Sequence, residues 1–76
     1  MGYCKVIRNL REDHDLTQSY IANQLGVCQR TYADYELGKT RIPVESLIKL
    51  AKFYNVDMDY ICGLSLVPMP FQETIF

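Results

Sequence analysis

No apolar run in these 76 residues approaches the roughly 20 needed to cross a bilayer as a helix. No basic-then-apolar leader opens the chain, so nothing marks it for export and the expected location is the cytoplasm. Cysteine is scarce and odd in number. Cys4, Cys28 and Cys62 stand far apart, which suits neither a disulfide framework nor a zinc site and suits reduced thiols well. Histidine occurs once, at His14, with no second ligand near it in sequence, so it reads as a polar helix-end residue. A Gly-rich phosphate loop and a cluster of ligating side chains are both missing. Asp57 and Asp59 resemble a carboxylate dyad, but neither neighbour offers a base, nucleophile or ligand, and capping and solvation explain them better. The expectation is no enzyme, no cofactor and no metal.

Positive charge is also in short supply. Eight Lys and Arg face nine Asp and Glu, a net charge of −1, whereas nucleic-acid binders usually carry a basic footprint. What there is gathers locally: between Gly26 and Pro43, Arg30, Lys39 and Arg41 stand against Asp34 and Glu36. A patch this small predicts weak non-specific binding to DNA and a need for dimerisation to gather phosphate contacts.

The length allows one domain, and 49% hydrophobic residues suit a globular body. Its organising stretch is Thr17 to Gly38, TQSYIANQLGVCQRTYADYELG. Thr17 is placed to cap a helix whose buried face is Ile21, Ala22 and Leu25. Gly26 ends that helix in the left-handed conformation, and Val27 plugs the turn. A second helix then runs from about Cys28 or Gln29 to Glu36, with Tyr32 and Tyr35 inward, Gln29, Arg30, Thr31 and Asp34 outward, and Gly38 closing it. Two short helices joined by such a turn form a helix-turn-helix unit, whose second helix can enter a DNA major groove.

Around this unit the spacing predicts three more helices. The first runs from Tyr3 to His14 with Tyr3, Ile7, Leu10 and His14 on one face, widened by Val6. The fourth opens at Pro43 and buries Val44, Leu47, Ile48, Ala51 and Tyr54, with Leu50 at the margin and Asn55 at its end. The fifth runs from Met58 to Cys62, capped by Asp57 and stopped by Gly63. One core is expected from Leu10, Ile21, Leu25, Val27, Tyr32, Leu47, Ile48, Ala51 and Ile61. Cys28 is a poor cap for the recognition helix, and Tyr20 is expected to lie across the surface of the second helix.

The pieces IRNLRE at 7–12, LTQSYIANQLGV at 16–27, YELGK at 35–39 and IPVESLIKLAKFYNVDMDYICG at 42–63 together resemble the Cro and lambda-repressor-like helix-turn-helix family. The resemblance covers about residues 3–63. It implies an all-α, compact five-helix domain over residues 1–64 that usually binds double-stranded DNA as a dimer, a small repressor-like transcriptional regulator of bacterial or phage type. It pairs Arg11 with Glu36. It places Gln29, Arg30 and Asp34 at the groove, with Thr31 beside them. A glutamine can bond adenine N6 and N7, an arginine guanine O6 and N7, and a carboxylate cytosine N4. Gln18, the amides at the start of its helix, Lys39, Thr40 and Arg41 are expected at phosphates, helped by free backbone amides in the loop after Leu37.

The tail, residues 65–76, is unusual: Leu66, Val67, Met69, Phe71, Ile75 and Phe76 are apolar and only Glu73 is charged, while Pro68 and Pro70 rule out a continuous helix. With Leu64 and the fifth helix it is expected to form or flank a homodimer contact, or else to fold back on its own monomer. No small-molecule ligand is expected, because there is no room for a sensing domain. The alternative function is a protein-interaction module, such as the antitoxin of a toxin pair, with auxiliary DNA binding.

Overall fold

The computed structural model describes residues 2–71; the expectations for Glu73, Ile75 and Phe76 lie outside them. Five helices follow one another: α1 Gly2–Asp13, α2 Gln18–Leu25, α3 Gln29–Leu37, α4 Val44–Tyr54 and α5 Met58–Ile61. No strand occurs among the described residues. No helix there is long and apolar enough to cross a membrane.

Hydrophobic burial around Ile7, Ile21, Tyr32, Leu50, Ala51 and Ile61 is the main stabilising term. Seven of the nine expected core residues are buried; Val27 and Ile48 are only half-buried. The buried stripe of α4 is Leu47, Leu50, Ala51 and Tyr54, and Val44, expected in it, is 63% exposed. The reason is where α4 starts. Val44 and Glu45 in its first turn are exposed, and the buried stripe is the i, i+3, i+4, i+7 series from Leu47. Ile42 and Val56, both outside helices, complete the core.

The ends of the helices differ in how they are closed. Thr17 accepts the Tyr20 N–H at 3.0 Å, as expected of a cap. Pro43 sits one position before α4 rather than inside its first turn, and Asp57 holds the cap position of α5 without making a cap bond. At Gly63, φ is +84°, and a Cβ there would lie 2.9 Å from the carbonyl carbon of Gly2. Only glycine fits, in conformation and in space, where the start of α1 meets the end of α5. His14 is exposed at the end of α1, with its Nδ1 2.8 Å from the Leu10 carbonyl and its ring 5.1 Å from that of Tyr54. Tyr20 reaches across to Phe53, ring centroids 6.2 Å apart.

After Gly63 the chain divides in behaviour. Leu64, Leu66 and Val67 are exposed. Residues 69–71 turn back: the Asp57 N–H donates to the Met69 carbonyl at 2.8 Å, and the Phe71 N–H donates to Asn55 Oδ1 at 3.2 Å. Phe71 packs against the core with Lys52 Nζ 5.6 Å from its ring centre.

Candidate nucleic-acid interface

The turn between α2 and α3 is built by backbone bonds. Gly26 takes φ +72°, and the Val27 N–H donates to the Ala22 carbonyl at 3.0 Å. α3 then leaves with one face committed to the core. Tyr32 is fully buried and meets Tyr35 edge-on, centroids 6.3 Å apart. Helical geometry puts Arg30 and Asp34 on the opposite side, Arg30 exposed and Asp34 half-buried; Gln29, the first residue of the helix, is exposed at its head, and Thr31 is half-buried at the flank.

Glu36 holds this arrangement in place. Its carboxylate accepts from Arg11 Nε at 2.7 Å and Nη2 at 3.1 Å, and from Gln18 Nε2 at 3.2 Å. Arg11 also donates to the Leu16 carbonyl at 2.9 Å. Glu36 thus ties α1 and the head of α2 to α3, and Arg11 extends the tie to the α1–α2 loop. Tyr32 turns its hydroxyl toward Glu36 without reaching hydrogen-bond geometry. Burial pushes the Glu36 carboxyl up, but its donors outweigh that and hold it below the usual range. The bond to Glu36 in turn raises Arg11. The expected Arg11–Glu36 pair is formed, so Glu36 adds no free negative charge to the outer surface.

The predicted site residues fall into three groups. Gln29, Arg30, Lys39, Thr40 and Arg41 are exposed on or just after α3. Asp34 lies one turn from Arg30, and no ion pair joins them among the described residues. Thr31 is turned to Cys28, Oγ1 to Sγ 3.2 Å, and that bond lowers the thiol pKa. One N–H of the Gln18 amide donates to Glu36, a contact the sequence reading did not include; the head of α2 also carries the backbone N–H groups of Gln18 and Ser19.

The loop after α3 also departs from expectation. Most of its backbone amides are not free. The N–H groups of Lys39 and Thr40 donate to the Asp34 carbonyl at 3.0 and 3.4 Å, and that of Gly38 to Tyr35 at 3.3 Å. The Ile42 N–H donates to Tyr3 Oη at 3.0 Å. The left-handed Gly38, φ +75°, turns the chain back onto the orphan carbonyls of α3. The side chains of Lys39, Thr40 and Arg41 remain for a ligand, with the backbone N–H of Arg41, which has no partner among the described residues.

One residue escaped the sequence reading altogether. Ser19 Oγ donates to Gln29 Oε1 at 2.9 Å, joining the first turns of α2 and α3. The available signal was a short hydroxyl in the first turn of α2, opposite the first residue of the recognition helix.

A family model described as helix-turn-helix matches residues 7–61. The chain is 38% identical over 71 residues to the uncharacterised HTH-type transcriptional regulator YobD of Bacillus subtilis, covering 93% of this chain and 63% of that protein. It is 48% identical over 50 residues to the cryptic phage CTXphi transcriptional repressor RstR of Vibrio cholerae, covering 66% of this chain and 45% of that one. A crystal structure of a transcriptional regulator from Listeria innocua superposes with a TM-score of 0.77 at 27% identity, over 97% of this chain and 63% of the other. The chain thus spans about half to two-thirds of the length of the relatives it matches.

Proposed function

The chain belongs to the helix-turn-helix family, and from that premise we propose that it is a sequence-specific, double-stranded-DNA-binding transcriptional regulator, repressor-like and non-enzymatic, working in the cytoplasm. The observation that carries this reading is the division of α3. Its inner face is fixed by Tyr32, Tyr35 and Glu36, while Gln29 and Arg30 are left exposed with no role in the core. Such a rigid helix with a polar outer edge is what the major groove accepts.

In this reading Arg30 donates to guanine O6 and N7, Asp34 accepts from a cytosine amino group, and Gln29 and Thr31 lie at neighbouring bases. Lys39, Thr40 and Arg41 hold phosphates through their side chains. The open amides at the head of α2 do the same through the backbone, with Gln18 bracing Glu36 behind them. The fold unit is residues 1–64 with residues 69–71 folded back onto it, and the exposed apolar groups between them serve assembly. The homodimer contact lies at α5 and the exposed Leu64, Leu66 and Val67, beside a groove of about 310 Å³ lined by Val6, Tyr60 and Leu66. A two-fold dimer then reads half-sites about 10 bp apart. The names carried by the relatives, regulators and repressors, favour this over an antitoxin role.

Selection of bound duplexes from genomic fragments, followed by binding of variants, tests the reading. Arg30→Ala should lose about 1–3 kcal/mol and relax preference at one base pair. Lys39→Ala should weaken all sequences alike and reduce the salt slope by about one. Binding untouched by both substitutions would overturn the proposal in favour of an interaction module.

A further inference from the structure

We propose that Asn55 is a latch, a positioning residue that closes residues 64–68 into a fixed loop and so displays Leu64, Leu66 and Val67 to a second copy of the chain. This rests on the dimer contact proposed above and deepens it by naming what shapes that contact. Leu64, Leu66 and Val67 are exposed. On a free tail, apolar groups of that size gain by folding onto the nearest apolar surface. Here the backbone is fastened on both sides of them and holds them out. On the entry side the Leu64 and Ser65 N–H groups both donate to the Asp59 carbonyl, at 2.8 and 3.2 Å. In the middle, the Val67 N–H donates to Ser65 Oγ at 3.2 Å. On the exit side the Asp57 N–H donates to the Met69 carbonyl at 2.8 Å, and the Phe71 N–H donates to Asn55 Oδ1 at 3.2 Å.

Asn55 has two tasks. Its backbone ends α4 in the left-handed region, φ +55°, with its N–H turned onto the carbonyls of Ala51 and Lys52. Glycine would do that at least as well, but it has no acceptor for the Phe71 N–H. The side-chain oxygen is what asparagine adds. The loop it closes is also one wall of the groove, where Ser65 and Leu66 stand with Val6 and Tyr60 around about 310 Å³. A fixed wall leaves less to be ordered on binding. A second copy suits this face because a two-fold contact sets like groups near each other, so charges close to the axis would repel. From Tyr60 to Phe71 the chain carries no charged side chain.

The test uses the full chain as wild type, Asn55→Gly and Asn55→Asp. Sedimentation equilibrium gives the dimer constant, melts are taken at dilutions where the chain is monomeric, and hydrogen exchange follows the Asp57 amide. Asn55→Gly keeps the left-handed helix end and removes the acceptor. It should leave the melt unchanged and speed exchange at Asp57. It should weaken the dimer about threefold to tenfold, the range for one lost hydrogen bond. Asn55→Asp keeps an acceptor oxygen and should restore both the exchange and the dimer. An Asp57 amide or a dimer constant unmoved by Asn55→Gly overturns the latch and leaves the dimer contact standing. A dimer lost together with the melt, and not restored by Asn55→Asp, assigns Asn55 to the helix end alone and also overturns it. A wild type that sediments as a monomer at every concentration overturns the dimer contact and the latch together.

Discussion

Glu36 and Asp57 are two carboxylates drawn into the body of this domain and treated in opposite ways. Glu36 accepts three hydrogen bonds from Arg11 and Gln18. Asp57 has its Oδ1 buried with no partner among the described residues, at the head of a four-residue helix it does not cap. The apolar surface divides the same way. Around Glu36, Tyr32 and Tyr35 are packed inward and Leu37 alone of its helix's large apolar side chains is exposed, whereas Leu64, Leu66 and Val67 stand 61–95% exposed in a cluster just beyond α5. A buried polar atom left unanswered asks for an explanation, and so does a run of exposed apolar groups. The helix-turn-helix half answers its buried carboxylate within the monomer and turns a polar edge outward, although Tyr32 Oη there is also buried without a partner among the described residues. The α5 end carries the exposed apolar groups to which the proposed dimer contact is assigned.

The sharpest way to break this contrast is Leu25→Ala, at the packed junction of α2 and α3. Leu25 is 6% exposed, and urea unfolding should show a loss of about 2–5 kcal/mol. Glu36→Gln comes next. It keeps the shape but removes the charge that Arg11 answers. The expected loss is about 2–4 kcal/mol, less than for a fully buried pair because Arg11 keeps some exposure.

Acid should reach the same tie without mutation. The folded Glu36 carboxyl is held below its unfolded value of about 4.3, so its contribution is present above that pH and fades as the pH falls below it. Melts taken from pH 6 down to about pH 2 should show this loss in the wild type and a shallower one in Glu36→Gln. The smallest effect on the monomer is expected at the other end. Leu66→Ser with Val67→Ser should change monomer stability by no more than about 0.5 kcal/mol. Sedimentation should nevertheless show the dimer weakened; an unchanged mass would move the assembly face elsewhere.

Much of the fold was legible because helical periodicity, Thr17 and the glycines at 26 and 38 agree with one another. The face of α4 was less so. Val44, Leu47, Ile48, Ala51 and Tyr54 and the true stripe through Leu50 are both helically spaced, and only the docking of α4 decides between them. The Arg11–Glu36 pair came from the family resemblance, since 25 residues of separation leave no local signal. Two of the loop amides were misread as free because nothing in Lys39 or Thr40 reveals that Gly38 folds their backbone onto Asp34. Ser19 was missed because its meaning depends on a residue ten positions away, across the turn.

The bond from the Ile42 N–H to Tyr3 Oη spans 39 residues and is buried. It fastens the far end of the Lys39–Arg41 loop to the first turn of α1. One amide proton therefore serves as a clock for that fastening. Its exchange with deuterated solvent runs only when the first turn of α1 lifts away, so its protection measures the free energy of that local opening rather than of global unfolding. Tyr3→Phe leaves the ring in place and removes the acceptor, and the clock should then run fast while the amides inside α3 keep their pace.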